Sequence, residues 1–112
     1  MTTVTIAPDA GVLTMIHTYH TEPGTQQAVY DGLLKGLELY GGRMAGHLTS
    51  TIHRSLDGLR VTSYSQWDPV ASKALFEDPA ALKESLDWFA PLTAAAKGQD
   101  AHVYAELSVY RP

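Results

Sequence analysis

The middle of the chain, 53-HRSLDGLRVTSYSQW-67, carries the clearest structural pattern in the sequence. Polar and apolar side chains alternate on both sides of Leu56-Asp57-Gly58-Leu59, a pattern typical of a β-hairpin. A two-residue turn at Asp57-Gly58 would pair odd-numbered residues with even ones and direct His53 away from Trp67. A three-residue loop with a left-handed Gly58 would pair odd with odd and place both rings on one face. Local sequence chemistry allows either turn.

The patterns on both sides of the hairpin predict the order strand–helix–strand–strand–helix–strand. The predicted strands cover 11–20, 46–54, 60–67 and 101–110, and the predicted helices cover 25–41 and a segment that begins at Asp78-Pro79. Asp is a good helix cap, and Pro is favoured at the first helical position. This order predicts an α+β, ferredoxin-like βαββαβ fold that has an antiparallel sheet with helices on one face.

Composition excludes several classes of protein. The chain has 112 residues and a net charge of −4, and its eight Lys and Arg residues form no run, which argues against nucleic-acid binding. The lack of cysteine excludes disulfides, thiol catalysis and thiolate metal sites. No apolar stretch has the length of a membrane span. We expect a cytoplasmic protein made of an N-terminal arm (1–10) and one ferredoxin-like domain (11–112).

One face of the predicted sheet has no helix to cover it, and its side chains include Tyr and Thr but few charges. Monomers seldom leave a large half-apolar surface in water. The sequence therefore predicts a homodimer in which two copies pack sheet against sheet around a two-fold axis.

The hairpin also carries a family resemblance. His53-Arg-Ser-Leu-Asp-Gly58 and Val61-Thr-Ser-Tyr-Ser-Gln-Trp67 resemble the central hairpin of the antibiotic biosynthesis monooxygenase family, most specifically in the run D-G-x-x-V-x-x-Y-x-Q-W. The likeness is strongest to the small quinone-forming members that oxidise anthrones in aromatic polyketide pathways. It extends over almost the whole chain and implies a dimer with a pocket between sheet and helices in each subunit. It favours the three-residue loop, with His53 and Trp67 in that pocket.

The resemblance implies a monooxygenase that needs no cofactor and uses molecular oxygen as co-substrate. Loss of a proton from an anthrone gives a delocalised carbanion, which can pass an electron to oxygen without a metal or a flavin. The protein then has to supply a base, a partner for the oxyanion and a dry pocket. His53, with an ordinary pKa of about 6.5, is the predicted base, and Trp67 is expected to stack on the polycyclic substrate.

Five further side chains are predicted to bind the substrate. Ser63 stands where the family usually carries an Asn four residues before the Trp, and Thr18 corresponds to another pocket Asn. Lys73 falls where some relatives carry a Tyr. Ser65, which shares the strand face of Ser63 and Trp67, and Thr51, two residues before His53, complete the set.

Two other functions stay open, a polyketide cyclase or isomerase on the same scaffold and a non-catalytic small-molecule binder. Haem-degrading relatives need an axial histidine on the helices, and here no histidine lies between Trp67 and Gln99. The resemblance therefore does not imply haem degradation. No metal site is predicted, since His17 and His20 are three apart on a strand and point to opposite faces. His47, at a strand start, is expected in solvent.

Overall fold

The computed structural model describes residues 2–112, so Met1 of the predicted arm lies outside the described residues. The strands are β1 (Leu13–His20), β2 (His47–Arg54), β3 (Arg60–Trp67) and β4 (Gly98–Tyr104), and the helices are α1 (Gln26–Tyr40), α2 (Lys73–Glu77) and α3 (Pro79–Phe89). This confirms the predicted order of strands and long helices, to which the structure adds the short helix α2. The last strand ends at Tyr104, so its predicted extension to Tyr110 was wrong.

The start of α3 follows from the sequence as predicted. The Asp78 side chain accepts a hydrogen bond from the Ala80 amide at 3.0 Å, and Pro79 is the first helical residue. The cap satisfies one of the amide groups that a helix start leaves without an intrahelical partner. None of the helices in residues 2–112 is long and apolar enough to cross a membrane.

The four strands form one antiparallel sheet in the order β2-β3-β1-β4. The helices α1, α2 and α3 pack on the face that carries the odd-numbered side chains of β1 and β3. The core between these layers consists of Tyr19, Val29, Leu33, Val61 and Phe89. Tyr19 and Val61 come from odd-numbered positions of β1 and β3, because successive side chains of a strand point to opposite faces. The predicted α+β, ferredoxin-like fold is confirmed.

The face away from the helices carries the even-numbered side chains of β1 and β3. The chain around Thr5 and Ile6 lies against it, and the Gln66 side-chain amide donates a hydrogen bond to the Thr5 carbonyl at 2.7 Å. Large apolar side chains on or beside this face stay partly in solvent, including Ile6 at 56% and Tyr104 at 46% exposure. We call it the open face.

The loop between β2 and β3 decides which face each hairpin side chain occupies. The Ser55 amide donates to the Arg60 carbonyl at 3.1 Å, which leaves a four-residue loop with Gly58 in the left-handed region, at φ 79°. His53 is therefore paired with Thr62 and lies on the face opposite to Trp67. The predicted three-residue loop, and the common face for the two rings, were wrong.

Side chains within the loop explain why the longer form is stable. The Asp57 carboxylate accepts hydrogen bonds from the Leu59 amide at 2.9 Å and from the Ser55 hydroxyl at 2.7 Å. The Ser55 oxygen accepts another from the Arg60 amide at 2.9 Å. Ser and Asp thus satisfy backbone and side-chain groups of the four-residue loop, as these residue types commonly do in turns.

Candidate active site

A cavity lies between the helix-covered face of the sheet and the helices. Its volume is about 80 Å³, whereas a single water needs roughly 10–15 Å³, and together with its open mouth the hollow encloses about 680 Å³. The helices supply mainly apolar walls, among them Leu33, Leu37, Leu75, Phe76, Leu86 and Phe89. The strands supply the imidazoles and most of the hydroxyl groups, and no Asp, Glu, Lys or Arg is among the lining residues. Such a lining suits an uncharged, largely aromatic ligand.

Three of the predicted site residues, all on β3, do line this cavity: Ser63, Ser65 and Trp67. Trp67 is 4% exposed, and its ring meets that of Phe76 edge to face at 5.1 Å between centroids. Its indole N–H donates to the Ser65 hydroxyl at 2.8 Å, so this donor already has a partner. Ser63 lies directly across the ladder from His17 of β1. That these residues contact a substrate stays a prediction.

Two predicted residues of β2 lie on the open face. His53 is exposed, and its Nε2 is 2.9 Å from the hydroxyl of Thr51. Thr51 itself is paired with Tyr64. The predicted placement of His53 and Thr51 in the pocket was wrong, because the even-numbered hairpin loop reverses the face of every residue in this part of β2.

The last two predicted residues also lie away from the cavity. Thr18 is on the open face, with its hydroxyl 3.4 Å from that of Thr62. Lys73 is exposed at the start of α2, where its ammonium group pairs with Glu77 at 2.6 Å. Strand alternation explains the first error. The second arises because this turn of α2 buries Leu75 and directs Lys73 to solvent.

His47, which the sequence analysis placed in solvent, lines the cavity beside Trp67, with 4.9 Å between ring centroids. Its Nδ1 is 3.1 Å from the Gly41 carbonyl oxygen, and its Nε2 is 2.7 Å from the Ser50 hydroxyl. A carbonyl only accepts, so Nδ1 carries the hydrogen of the neutral ring and Nε2 accepts from Ser50. Burial lowers the pKa of His47 below its usual 6.5, which favours the neutral ring at pH 7.

A β-bulge brings His47 and Ser50 to the same face. His47 is paired with Trp67 and Thr49 with Gln66, which leaves Leu48 as an extra residue between them. In a regular strand, residues three apart would point to opposite faces. Nothing in the local sequence predicts this bulge, so neither residue could be assigned to the cavity from the sequence.

His17 is the second imidazole of the cavity and is 9% exposed. Its Nε2 is 2.6 Å from the side-chain oxygen of Gln99, and its ring stacks on Tyr19 at 4.3 Å between centroids. Desolvation lowers the pKa of His17, although Gln99 and Asp100 oppose the shift, and burial raises the pKa of Tyr19 to about 12. The sequence held a signal for His17, since it alternates with Tyr19 on the buried face of β1.

The helix-covered sheet and its cavity define a ferredoxin-like protein with an internal cavity between sheet and helices. No protein-family model matches the chain. It is 32% identical over 76 residues to tetracenomycin-F1 monooxygenase of Streptomyces glaucescens, across 67% of this chain and 68% of that one. The chain belongs to the antibiotic biosynthesis monooxygenase family, as the hairpin resemblance predicts.

Solved structures with the same fold support this assignment. The monooxygenase from the ActVA-Orf6 gene of Streptomyces coelicolor, solved with the ligand nanaomycin D, superposes with a TM-score of 0.65 at 20% identity and covers 95% of this chain and 96% of its own. SnoaB, a cofactor-independent oxygenase of Streptomyces nogalater, superposes with a TM-score of 0.58 at 13% identity over 89% of this chain and 97% of its own. At these identities the likeness shows the fold.

Proposed function

We propose that the protein is a cofactor-independent monooxygenase that oxidises an anthrone-like aromatic polyketide intermediate to a quinone, with molecular oxygen as co-substrate. The observation that carries the proposal is the cavity, in which apolar walls enclose two neutral imidazoles and no ionic side chain lines the surface. The names of its relatives, a tetracenomycin-F1 monooxygenase and a cofactor-independent oxygenase, support the same chemistry.

In the proposed reaction the protein supplies a base and a pocket that excludes water. The methylene of an anthrone loses one proton to the base, and the electron pair of the C–H bond delocalises into the rings and the ketone. The resulting enolate passes one electron to oxygen, and recombination of the two radicals forms the C–O bond of a peroxide. Protonation and loss of water then leave the new carbonyl, so that one CH₂ and one O₂ give one C=O and one H₂O. Exclusion of bulk water protects the intermediates from side reactions.

The residues on β3 fit supporting roles in this reaction. Trp67 offers a buried aromatic face, held in place by its hydrogen bond to Ser65, against which a polycyclic ring system can stack. Ser63 offers a hydroxyl opposite His17, where it can donate a hydrogen bond to a substrate oxygen. In this proposal, Trp67 orients the ring system, and Ser63 and Ser65 contribute hydroxyl groups to the polar side of the wall.

We also propose that the protein works as a homodimer. Exposed apolar side chains of the open face and of the residues that follow β4, such as Ile6, Tyr104 and Val109, would be covered by a second copy. Light scattering after size-exclusion chromatography should give twice the monomer mass. A monomeric mass at micromolar concentration would contradict this part of the proposal.

The activity is tested with an oxygen electrode, a simple anthrone and protein that has been treated with a chelator. We expect one oxygen consumed for each quinone formed, and a rate at least tenfold lower in Trp67→Phe. His53→Gln serves as the matched control, because this histidine lies on the open face. Product without oxygen uptake would indicate a cyclase or isomerase, binding without turnover would indicate a non-catalytic binder, and a requirement for added metal would refute cofactor independence.

A further inference from the structure

The hydrogen bonds of the two cavity imidazoles differ in one respect that matters for proton transfer. His47 Nδ1 faces the carbonyl oxygen of Gly41, a group that cannot donate, so one tautomer is fixed. His17 faces the side-chain amide of Gln99, which presents an acceptor or, after a half turn, a donor. Only His47 is therefore held with the lone pair of a stated nitrogen, Nε2, available to take a proton.

The Gly41 carbonyl lies at the C-terminal end of α1, and this end of a helix favours a positive charge nearby. The 15 residues of α1 end at Tyr40, and the Gly41 amide donates to the Leu37 carbonyl in the last turn. A Cβ added at Gly41 would lie 3.6 Å from the His47 ring, so backbone and imidazole are in close contact. The negative end of a helix dipole stabilises a nearby cation. His47 is thus neutral at rest and placed where the imidazolium formed during the reaction is stabilised.

We propose that Ser50 and His47 form a proton relay that deprotonates the substrate. This inference rests on the proposed function and assigns its base. As the substrate C–H bond breaks, the proton joins Ser50 Oγ, and the hydroxyl proton of Ser50 moves along the 2.7 Å hydrogen bond to His47 Nε2. The C–H electron pair stays on the substrate as the enolate, Ser50 remains a hydroxyl, and His47 becomes an imidazolium. The proton leaves again in the water released from the peroxide.

A serine held by an imidazole is also the arrangement of a nucleophilic serine. That reaction needs nearby N–H donors for an oxyanion. Ser50 lies within the β2–β3 ladder opposite Ser65, and the neighbouring indole N–H of Trp67 is already donated to Ser65. The geometry therefore favours a relay over acyl transfer.

The charged and titratable groups around the relay are few. His17 and Tyr19 of β1 are the other titratable side chains among the lining residues, and the lining residues of α1, α2, α3 and β3 add none. Arg43, in the 3₁₀ turn between α1 and β2, places its guanidinium 5.0 Å from the centroid of the Trp88 ring. An acid limb of proton transfer below pH 6.5 is therefore attributed to His47 or His17, and variants separate the two.

The test measures proton abstraction without oxygen. Anthrone is incubated with the enzyme in D₂O under nitrogen, and exchange of the methylene hydrogens is followed by NMR against the uncatalysed rate. We expect His47→Gln and Ser50→Ala to slow catalysed exchange by about 100-fold or more, as removal of a general base commonly does. Ser50→Thr, which keeps the hydroxyl, should stay within a few fold of the original rate. His17→Gln should keep the acid limb of the pH–rate profile, and His47→Gln should lose it.

The outcomes separate this inference from the proposed function. Exchange that depends on His47 and Ser50, in a protein that consumes no oxygen, would support the relay and refute the monooxygenase. Oxygen uptake together with unchanged exchange in His47→Gln would refute the relay alone. Loss of exchange in Ser50→Ala, together with a stable acyl-enzyme when the unaltered protein is given an activated ester that expels a phenolate, would assign Ser50 as a nucleophile instead. Circular dichroism of each variant, with His53→Gln as control, shows whether the fold is retained.

Discussion

Replacement of Gly32 by Ala tests how closely α1 approaches the end of α3. A Cβ built on Gly32 would lie 1.7 Å from the Leu92 carbonyl oxygen, half the 3.4 Å at which ordinary contact begins. That carbonyl cannot retreat easily, because the Leu92 and Thr93 amides both donate to the Phe89 carbonyl, at 2.9 and 3.1 Å. Overpacking of a core costs about 1–3 kcal/mol, and a clash with backbone belongs at the upper end of that range. Ala is favoured over Gly in a helix by about 1 kcal/mol. The net expected loss is about 2 kcal/mol.

Urea denaturation and thermal melting measure this loss. For a chain of this size, ~2 kcal/mol corresponds to a melting temperature lowered by roughly 6–10 °C. Gly24→Ala is the matched control, since a Cβ at Gly24 has no atom within 4 Å and should change stability by less than about 0.5 kcal/mol. A Gly32→Ala protein that equals or exceeds the original in stability would refute the reasoning, because helix propensity alone would then decide the outcome.

Three further predictions concern the cavity. Gly36→Ala should weaken anthrone binding about tenfold in a fluorescence titration, because a Cβ there lies 2.4 Å from the Phe89 ring and pushes that ring toward the ligand. Burial lowers the pKa of His17, so on acidification the unfolded chain binds a proton at a higher pH than the folded protein does. The free energy of unfolding should therefore fall as the pH drops below about 6.5, and it should continue to fall until the pH reaches the lowered pKa of the folded state. His17→Gln should reduce that slope in urea titrations between pH 5 and about 8. The pKa of Tyr19 is raised to about 12, so the free energy of unfolding should fall by roughly 2 kcal/mol between pH 10 and 12, and Tyr19→Phe should remove this fall.

The elements of the fold could be predicted because each rests on many residues at once. The hairpin arms expected at 46–54 and 60–67 are observed as His47–Arg54 and Arg60–Trp67, and the helix expected at 25–41 as Gln26–Tyr40. A periodic pattern of apolar residues over eight or more positions predicts a strand or helix even where one residue departs from the pattern. The exception is the chain after Tyr104, where the alternation of apolar residues continues without a strand.

The site was harder to predict because it depends on single residues. Ser63, Ser65 and Trp67 lie in the cavity because β3 is a regular strand, and alternation holds along its whole length. His53 was predicted on the wrong face because the expected loop between β2 and β3 is one residue shorter than the observed one. Two-residue, three-residue and four-residue loops are all compatible with Ser55-Leu56-Asp57-Gly58, so local chemistry could not choose between them.

Two features of the β2–β3 hairpin, the length of its loop and the bulge at Leu48, decide which histidine reaches the cavity. The four-residue loop places His53 on the open face, and the bulge at Leu48 then reverses the alternation, so that His47 faces Trp67 while Ser50 faces the same side. An imidazole beside the tryptophan, which the family resemblance led us to expect, is therefore present, but it comes from the other end of β2. We therefore assign the proposed base from the geometry around the indole and not from position in the sequence motif. Exchange experiments on His47→Gln and His53→Gln, run side by side, compare these two guides directly.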